Sequence, residues 1–162
     1  MRPLVIGVGN RWRGGDGIGP RTIDALAEFG ADGPEADLVA LDGEPGRLVA
    51  VWEGRSRVVI VDAIVTGDAS GTVHCIAAHP GAGPDRIDGW QTATGSHGNG
   101  IAAAIALGRA LDRLPEQLVV VGVEPGCLDH GDELSPAVAA AIDIVTELVT
   151  HVVNEDLDSP CA

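Results

Sequence analysis

The sequence predicts an α/β protein: a three-layer α/β/α sandwich around a mostly parallel, twisted sheet of about five strands, with one antiparallel strand at an edge. Two observations predict it. Leu4 to Val8, Val58 to Val61 and Leu118 to Val123 are all-apolar runs too short for helices, and strands apolar on both faces belong to sheets covered on both faces. Stretches of helical period lie between them, in the alternation that builds parallel crossovers.

Each element has its own signal. Arg2 to Gly9 reads as a buried strand that stops at glycines. The helix after it is marked by Pro20 in its first turn, by Ile23, Leu26 and Ala27, and by Gly30 as a stop. Asp37 to Leu41 is a second strand, Gly46 to Trp52 a helix, and Arg57 to Val61 a buried strand ending on Asp62. Gly71 to Ala77 alternates more and reads as the edge strand, while residues 79–96, rich in Gly and Pro, read as a long loop. A helix from near Asn99 carries Ile101, Ile105, Leu107 and Leu111 and stops before Pro115. Ser135-Pro136, an N-cap followed by proline, opens the last helix, with Val138, Ile142, Val145, Val149 and Val152 at steps of four and three.

The 162 residues fit one domain, residues 1–153, followed by an acidic tail over 154–162 that is expected to be disordered. No internal repeat is visible. With one Phe and no Tyr, the core must be built from Val, Ile, Leu and Ala, and the three Trp are too scattered to form a stacking platform. A net charge of −14 argues against nucleic acid or an anionic membrane as partner. Met1-Arg2-Pro3 leads into a strand without the pattern of a signal peptide, and no run reaches the roughly twenty apolar residues of a membrane helix, so the chain reads as cytoplasmic. Cys75, Cys127 and Cys161 are odd in number and form no CxxC, which leaves reduced free thiols as the expectation.

Ligands of open α/β sheets bind beyond the carboxyl ends of the strands. That rim collects Asn10 and Asp16 from the glycine turn after the first strand, Asp62 from the third strand, and His97 from the loop before the Asn99 helix. Two carboxylates and an imidazole suit a divalent transition ion. Asp16 alone reads equally well as a turn or helix-capping residue. Asp62 is harder to explain structurally, because four apolar residues lead straight into it and an unpaired buried carboxylate costs several kcal/mol. A lone loop histidine such as His97 is commonly just solvated.

Other chemistries fit poorly. Gly7-Val8-Gly9 is followed by Asn10, Arg11 and Trp12, so the third glycine of a dinucleotide fingerprint is missing. There is no lysine for a P-loop, and only Arg11 and Arg13 leave a weak anion-binding option for a nucleotide-binding reading. No G-x-S-x-G marks a serine hydrolase, and Cys127 after the last strand reads as an ordinary loop thiol.

The ordered set G-V-G-N (7–10), D-G-I-G (16–19), V-D-A-I-V (61–65), S-H-G-N-G-I (96–101), V-V-G-V-E-P (120–125) and L-S-P (134–136) resembles the hydrogenase maturation proteases over residues 3–152. The resemblance implies an endopeptidase that removes the C-terminal extension of a nickel-iron hydrogenase large-subunit precursor after nickel insertion. It implies Asp16, Asp62 and His97 as the catalytic and metal-binding set, with substrate contacts at Asn10, Asp42 and Gly43. Nickel would be carried by the substrate, with no tightly bound metal in the free enzyme. Three departures stand out: Gly15 replaces a second acidic residue of the turn, Asp42-Gly43-Glu44-Pro45 stands where the family carries D-G-G-T, and Gly98 follows the histidine. The single turn carboxylate also fits a non-catalytic, nickel-sensing chaperone for the same precursor. Which carboxylate acts as base is open.

Overall fold

The computed structural model describes residues 1–10, 12, 14–30, 33–78, 91–92, 100–126 and 133–154. Its elements run β1 (Leu4–Val8), a 3-10 turn (Gly14–Gly17), α1 (Ile18–Glu28), β2 (Asp37–Leu41), α2 (Pro45–Trp52), β3 (Arg57–Val65), β4 (Val73–Ala77), β5 (Gln91–Thr92), α3 (Gly100–Ala110), β6 (Gln117–Val123) and α4 (Pro136–Asn154). The main sheet has the order β2-β1-β3-β6-β4. β1, β2, β3 and β6 are parallel, and β4 is the antiparallel edge strand that the sequence predicts.

Continuous apolar strands are explained by two cores. Side chains alternate across the sheet. Val5, Val59, Val61, Val119 and Val121 face α1 and α4, while Leu4, Ile6, Val8, Val58, Ile60, Leu118 and Val120 face α2 and α3. Trp52, the largest fully buried side chain among the described residues, closes the second core, and its indole N–H donates to the carbonyl of Arg113 at 3.0 Å. Caps set the helix starts. Glu44 accepts from the N–H groups of Gly46 and Arg47 at 2.9 and 2.7 Å ahead of α2, and Ser135 Oγ accepts from Val138 N–H ahead of α4.

Several expectations need correction. Ala27, Leu107 and Leu111 are exposed; α1 buries Ile18, Thr22, Ile23 and Leu26 instead, and α3 buries Ile101, Ala104, Ile105 and Gly108. Strand β3 continues three residues past Asp62, because Ala63 pairs with Val123 and Ile64-Val65 pair antiparallel with β5. β5 itself lies inside the stretch expected to be loop throughout. α4 has 19 residues and is apolar and long enough to cross a membrane by length and composition, but Val138, Val145, Val149 and Val152 pack into the core beneath it. Cys75 on β4 is disulfide-bonded rather than a free thiol. Cys127 and Cys161 lie outside the described residues, as do 155–162 of the tail.

Strand order positions the site. From β1 the chain passes through α1 to β2 on one side; from β2 it passes through α2 to β3 on the other side of β1. The exits of β1 and β3 therefore diverge, and the gap between them is the topological switch point where such sheets take their ligands.

Candidate functional site

The switch point holds two carboxylates. Asp16 lies in the 3-10 turn that joins β1 to α1 and is 3% exposed; Asp62 lies on β3 and is 0% exposed. Asp62 stands one residue beyond the last β1–β3 pair, Gly7–Val61, and so at the level where β1 stops covering β3. Alternation along Val58, Ile60 and Asp62 turns it toward the α2/α3 layer.

Glycines bring the turn this close. A Cβ on Gly19 would lie 2.2 Å from the Val8 carbonyl oxygen and 2.7 Å from that of Val61, so α1 starts with its backbone against both strands. Gly9 takes φ 133°, and a Cβ there would meet the Asp16 carbonyl oxygen at 2.0 Å. Only glycine allows that conformation and that approach. The turn is then tied down by hydrogen bonds: Gly9 N–H donates to the Leu41 carbonyl at 3.1 Å, and Asn10 N–H donates to Asp16 Oδ2 at 3.1 Å. Asp16 thus has the turn role that the sequence allowed, on a carboxylate that also borders Asp62.

Asp62 has much less support. Ala63 N–H donates to Oδ1 at 2.8 Å, and among the described residues Oδ2 accepts no hydrogen bond. Burial pushes the Asp62 carboxyl well above the ordinary carboxylate range, the Asp16 charge pushes it further, and the Ala63 hydrogen bond only partly opposes them. A carboxylate in this position is poised to receive a cation or a proton.

The rim around the pair is continuous. Gly43, at φ 83°, follows β2 and packs toward Val8, and a Cβ on Gly100 at the start of α3 would lie 2.4 Å from the Gly43 carbonyl oxygen. The exits of β1 and β2 and the N-terminus of α3 therefore meet. His97 lies outside the described residues, three positions ahead of Gly100 in the chain. Asn10 is exposed, with its Oδ1 accepting from Trp12 N–H at 2.9 Å. Asp42 is also exposed and supports its own loop, accepting from Glu44 N–H at 3.3 Å and pairing with Arg47 at 3.0 Å. Among the described residues, no three His, Cys, Asp or Glu side chains form a metal-holding group.

One acidic residue at this rim escaped the sequence reading. Glu124 is buried at the exit of β6, after an apolar run like the one before Asp62. The same signal could have found it. Its carboxylate, however, accepts from Thr66 N–H and Oγ1 at 2.8 and 2.7 Å and from Gly67 N–H at 3.3 Å. Glu124 joins the exits of β3 and β6; its hydrogen bonds explain its burial, which those of Asp62 do not.

Comparison with known proteins places this fold in a family. The sequence model of the family described as hydrogenase maturation protease (HycI) matches residues 20–152. The chain is 29% identical over 160 residues to the hydrogenase 2 maturation protease of Escherichia coli (strain K12), covering 96% of this chain and 92% of that protein. It is 29% identical over 147 residues to the hydrogenase expression/formation protein HupD of Rhodobacter capsulatus, covering 88% of this chain and 66% of HupD. The solved structure of the hydrogenase maturating endopeptidase HybD from E. coli superposes with a TM-score of 0.71 at 30% identity, covering 92% of this chain and 90% of that one. The [NiFe] hydrogenase maturation protease HybD from Thermococcus kodakarensis gives 0.72 at 23% identity, covering 95% and 100%.

Proposed function

The chain belongs to the hydrogenase maturation protease family and is a peptidase; from that premise we propose that it removes the C-terminal extension of a nickel-iron hydrogenase large-subunit precursor once nickel is in place. The observation that carries the nickel part of this reading is Asp62. A fully buried carboxylate beside a second acid, with one oxygen accepting no hydrogen bond among the described residues, costs the fold several kcal/mol. Nickel arriving with the substrate relieves that cost.

Asp16 and Asp62 give two oxygen donors, and His97 gives the nitrogen donor of the set. Nickel already held by the precursor takes these as added ligands, so a loaded precursor binds better than an empty one. The metal polarises the scissile carbonyl or a water, and one of the two carboxylates takes the water's proton. The hydroxide oxygen bonds to the carbonyl carbon. The proton passes to the amide nitrogen as the C–N bond breaks, leaving a carboxylate on the large subunit and an amine on the released extension.

Asn10, Asp42 and Gly43 form the edge of this crevice, and they are assigned here to contacts with the precursor's backbone and polar groups. The test incubates the purified chain with nickel-loaded and nickel-free precursor and follows the shortened large subunit by mass. Cleavage of the loaded form alone is expected; equal cleavage of both overturns the reading of nickel. Full activity in Asp62→Asn or His97→Ala overturns the triad.

A further inference from the structure

Trp12 projects from the turn that carries Asp16. It is 68% exposed, in contrast to the fully buried Trp52. Asn10 binds both ends of this arrangement: its side-chain oxygen accepts from Trp12 N–H at 2.9 Å, and its own N–H donates to Asp16 Oδ2 at 3.1 Å. The indole's main chain is thereby held in an Asx turn, fixed relative to the buried acid. In sequence Trp12 is flanked by Arg11 and Arg13, two of only ten basic residues in a chain of net charge −14.

A tryptophan held in water beside a reaction centre gives up a large apolar contact, and tryptophan and arginine are the residue types that dominate protein–protein hot spots. Resting on the function proposed above, we infer that Trp12 is the docking anchor for the precursor: it covers an apolar side chain within an acidic segment of the large subunit. Docking there holds the scissile segment over Asp16 and Asp62. Two features of the turn favour the precursor as occupant. Trp12 is continuous through Asn10 with the candidate site, and a local basic pair suits an acidic segment despite the overall negative charge.

The test compares wild type, Trp12→Phe and Trp12→Ala on nickel-loaded precursor. Trp12→Ala is expected to raise KM by about tenfold or more, the size of a hot-spot truncation, with kcat within about twofold and an unchanged Tm. Trp12→Phe should recover most of the loss. The fluorescence difference between wild type and Trp12→Phe should shift to the blue when precursor is added. A KM within about twofold of wild type in Trp12→Ala, while wild type cuts the precursor, overturns this inference and leaves the proposed function standing. A dimer of this chain that Trp12→Ala dissociates also overturns it, since the indole then serves a second copy. A wild-type chain that cuts no precursor overturns both.

Discussion

Asp16 and Asp62 are electrostatically coupled across the crevice between β1 and β3: burial raises the pKa of Asp62, and the charge of Asp16 raises it further. Folded Asp62 therefore holds its proton more tightly than an unfolded aspartate. The stability it contributes is complete below the unfolded value of about 3.9 and is lost as pH rises through the higher folded value. Asp62→Asn keeps an oxygen for the Ala63 N–H and removes the charge. In the metal-free protein this variant should melt higher than wild type near neutral pH, by about 2–4 °C for each kcal/mol relieved, with the gap closing toward about pH 4. Thermal melts across that range check it, and a gap that does not change with pH contradicts it.

The turn's glycines are steric requirements. Gly19→Ala places a methyl against two main-chain carbonyls that cannot rotate away, and overpacking of this kind costs about 1–3 kcal/mol or more. Melting temperature and cleavage should fall together, because the Asp16 turn shifts with the helix start. Gly30→Ala is the control: φ is 53° there with nothing within 4 Å of the added Cβ, so the cost is limited to about 1–2 kcal/mol of backbone strain and cleavage should persist.

Glu124 is a buried acid whose hydrogen bonds account for its burial, unlike Asp62. Glu124→Ala leaves the two N–H groups and one hydroxyl of Thr66 and Gly67 without their acceptor. A loss of about 2–4 kcal/mol in urea denaturation is expected, given about 1.5–3 kcal/mol for a hydrogen bond to a charged group. Glu124→Gln, which keeps one oxygen acceptor, should lose less. Equal stability of both variants with wild type would show that the β3–β6 exit does not depend on this residue.

The Cys75 disulfide gives a direct chemical readout. Of three cysteines in the chain, unreduced protein should expose one thiol to alkylation and reduced, unfolded protein three. Peptide mapping then identifies Cys127 or Cys161 as the partner. Alkylation of Cys75 in protein that has never been reduced contradicts the bond.

Local signals were enough where local forces decide. The bounds of β2, the Ser135 cap of α4 and the antiparallel character of β4 agree with their sequence signals, since flanking turn residues, capping and alternation are short-range signals. Side chains at helix ends were less legible. Leu107 and Leu111 fit the apolar period of α3 yet are exposed, because the face of a helix that meets the core is chosen by the neighbours it packs on. β5 was not legible at all: two residues pair with β3 through main-chain groups that no side-chain pattern announces. Asp62 was expected at the mouth of β3 with a partner; it sits inside the strand, fully buried, with the Ala63 N–H as its hydrogen bond among the described residues, because strand length depends on which neighbours continue to pair.

By itself the sequence determined the α/β class, the covered parallel sheet and the glycine turn with its single carboxylate, all consequences of apolar spacing and backbone freedom. Tertiary structure decided the strand order that opens the switch point between β1 and β3 and so brings Asp16 to Asp62. It also decided which acid at the rim is left wanting. Glu124 and Asp62 follow similar apolar runs, but among the described residues folding brings three donors to Glu124 from Thr66 and Gly67, distant in the chain, while Asp62 is left with the one N–H of its own neighbour, Ala63.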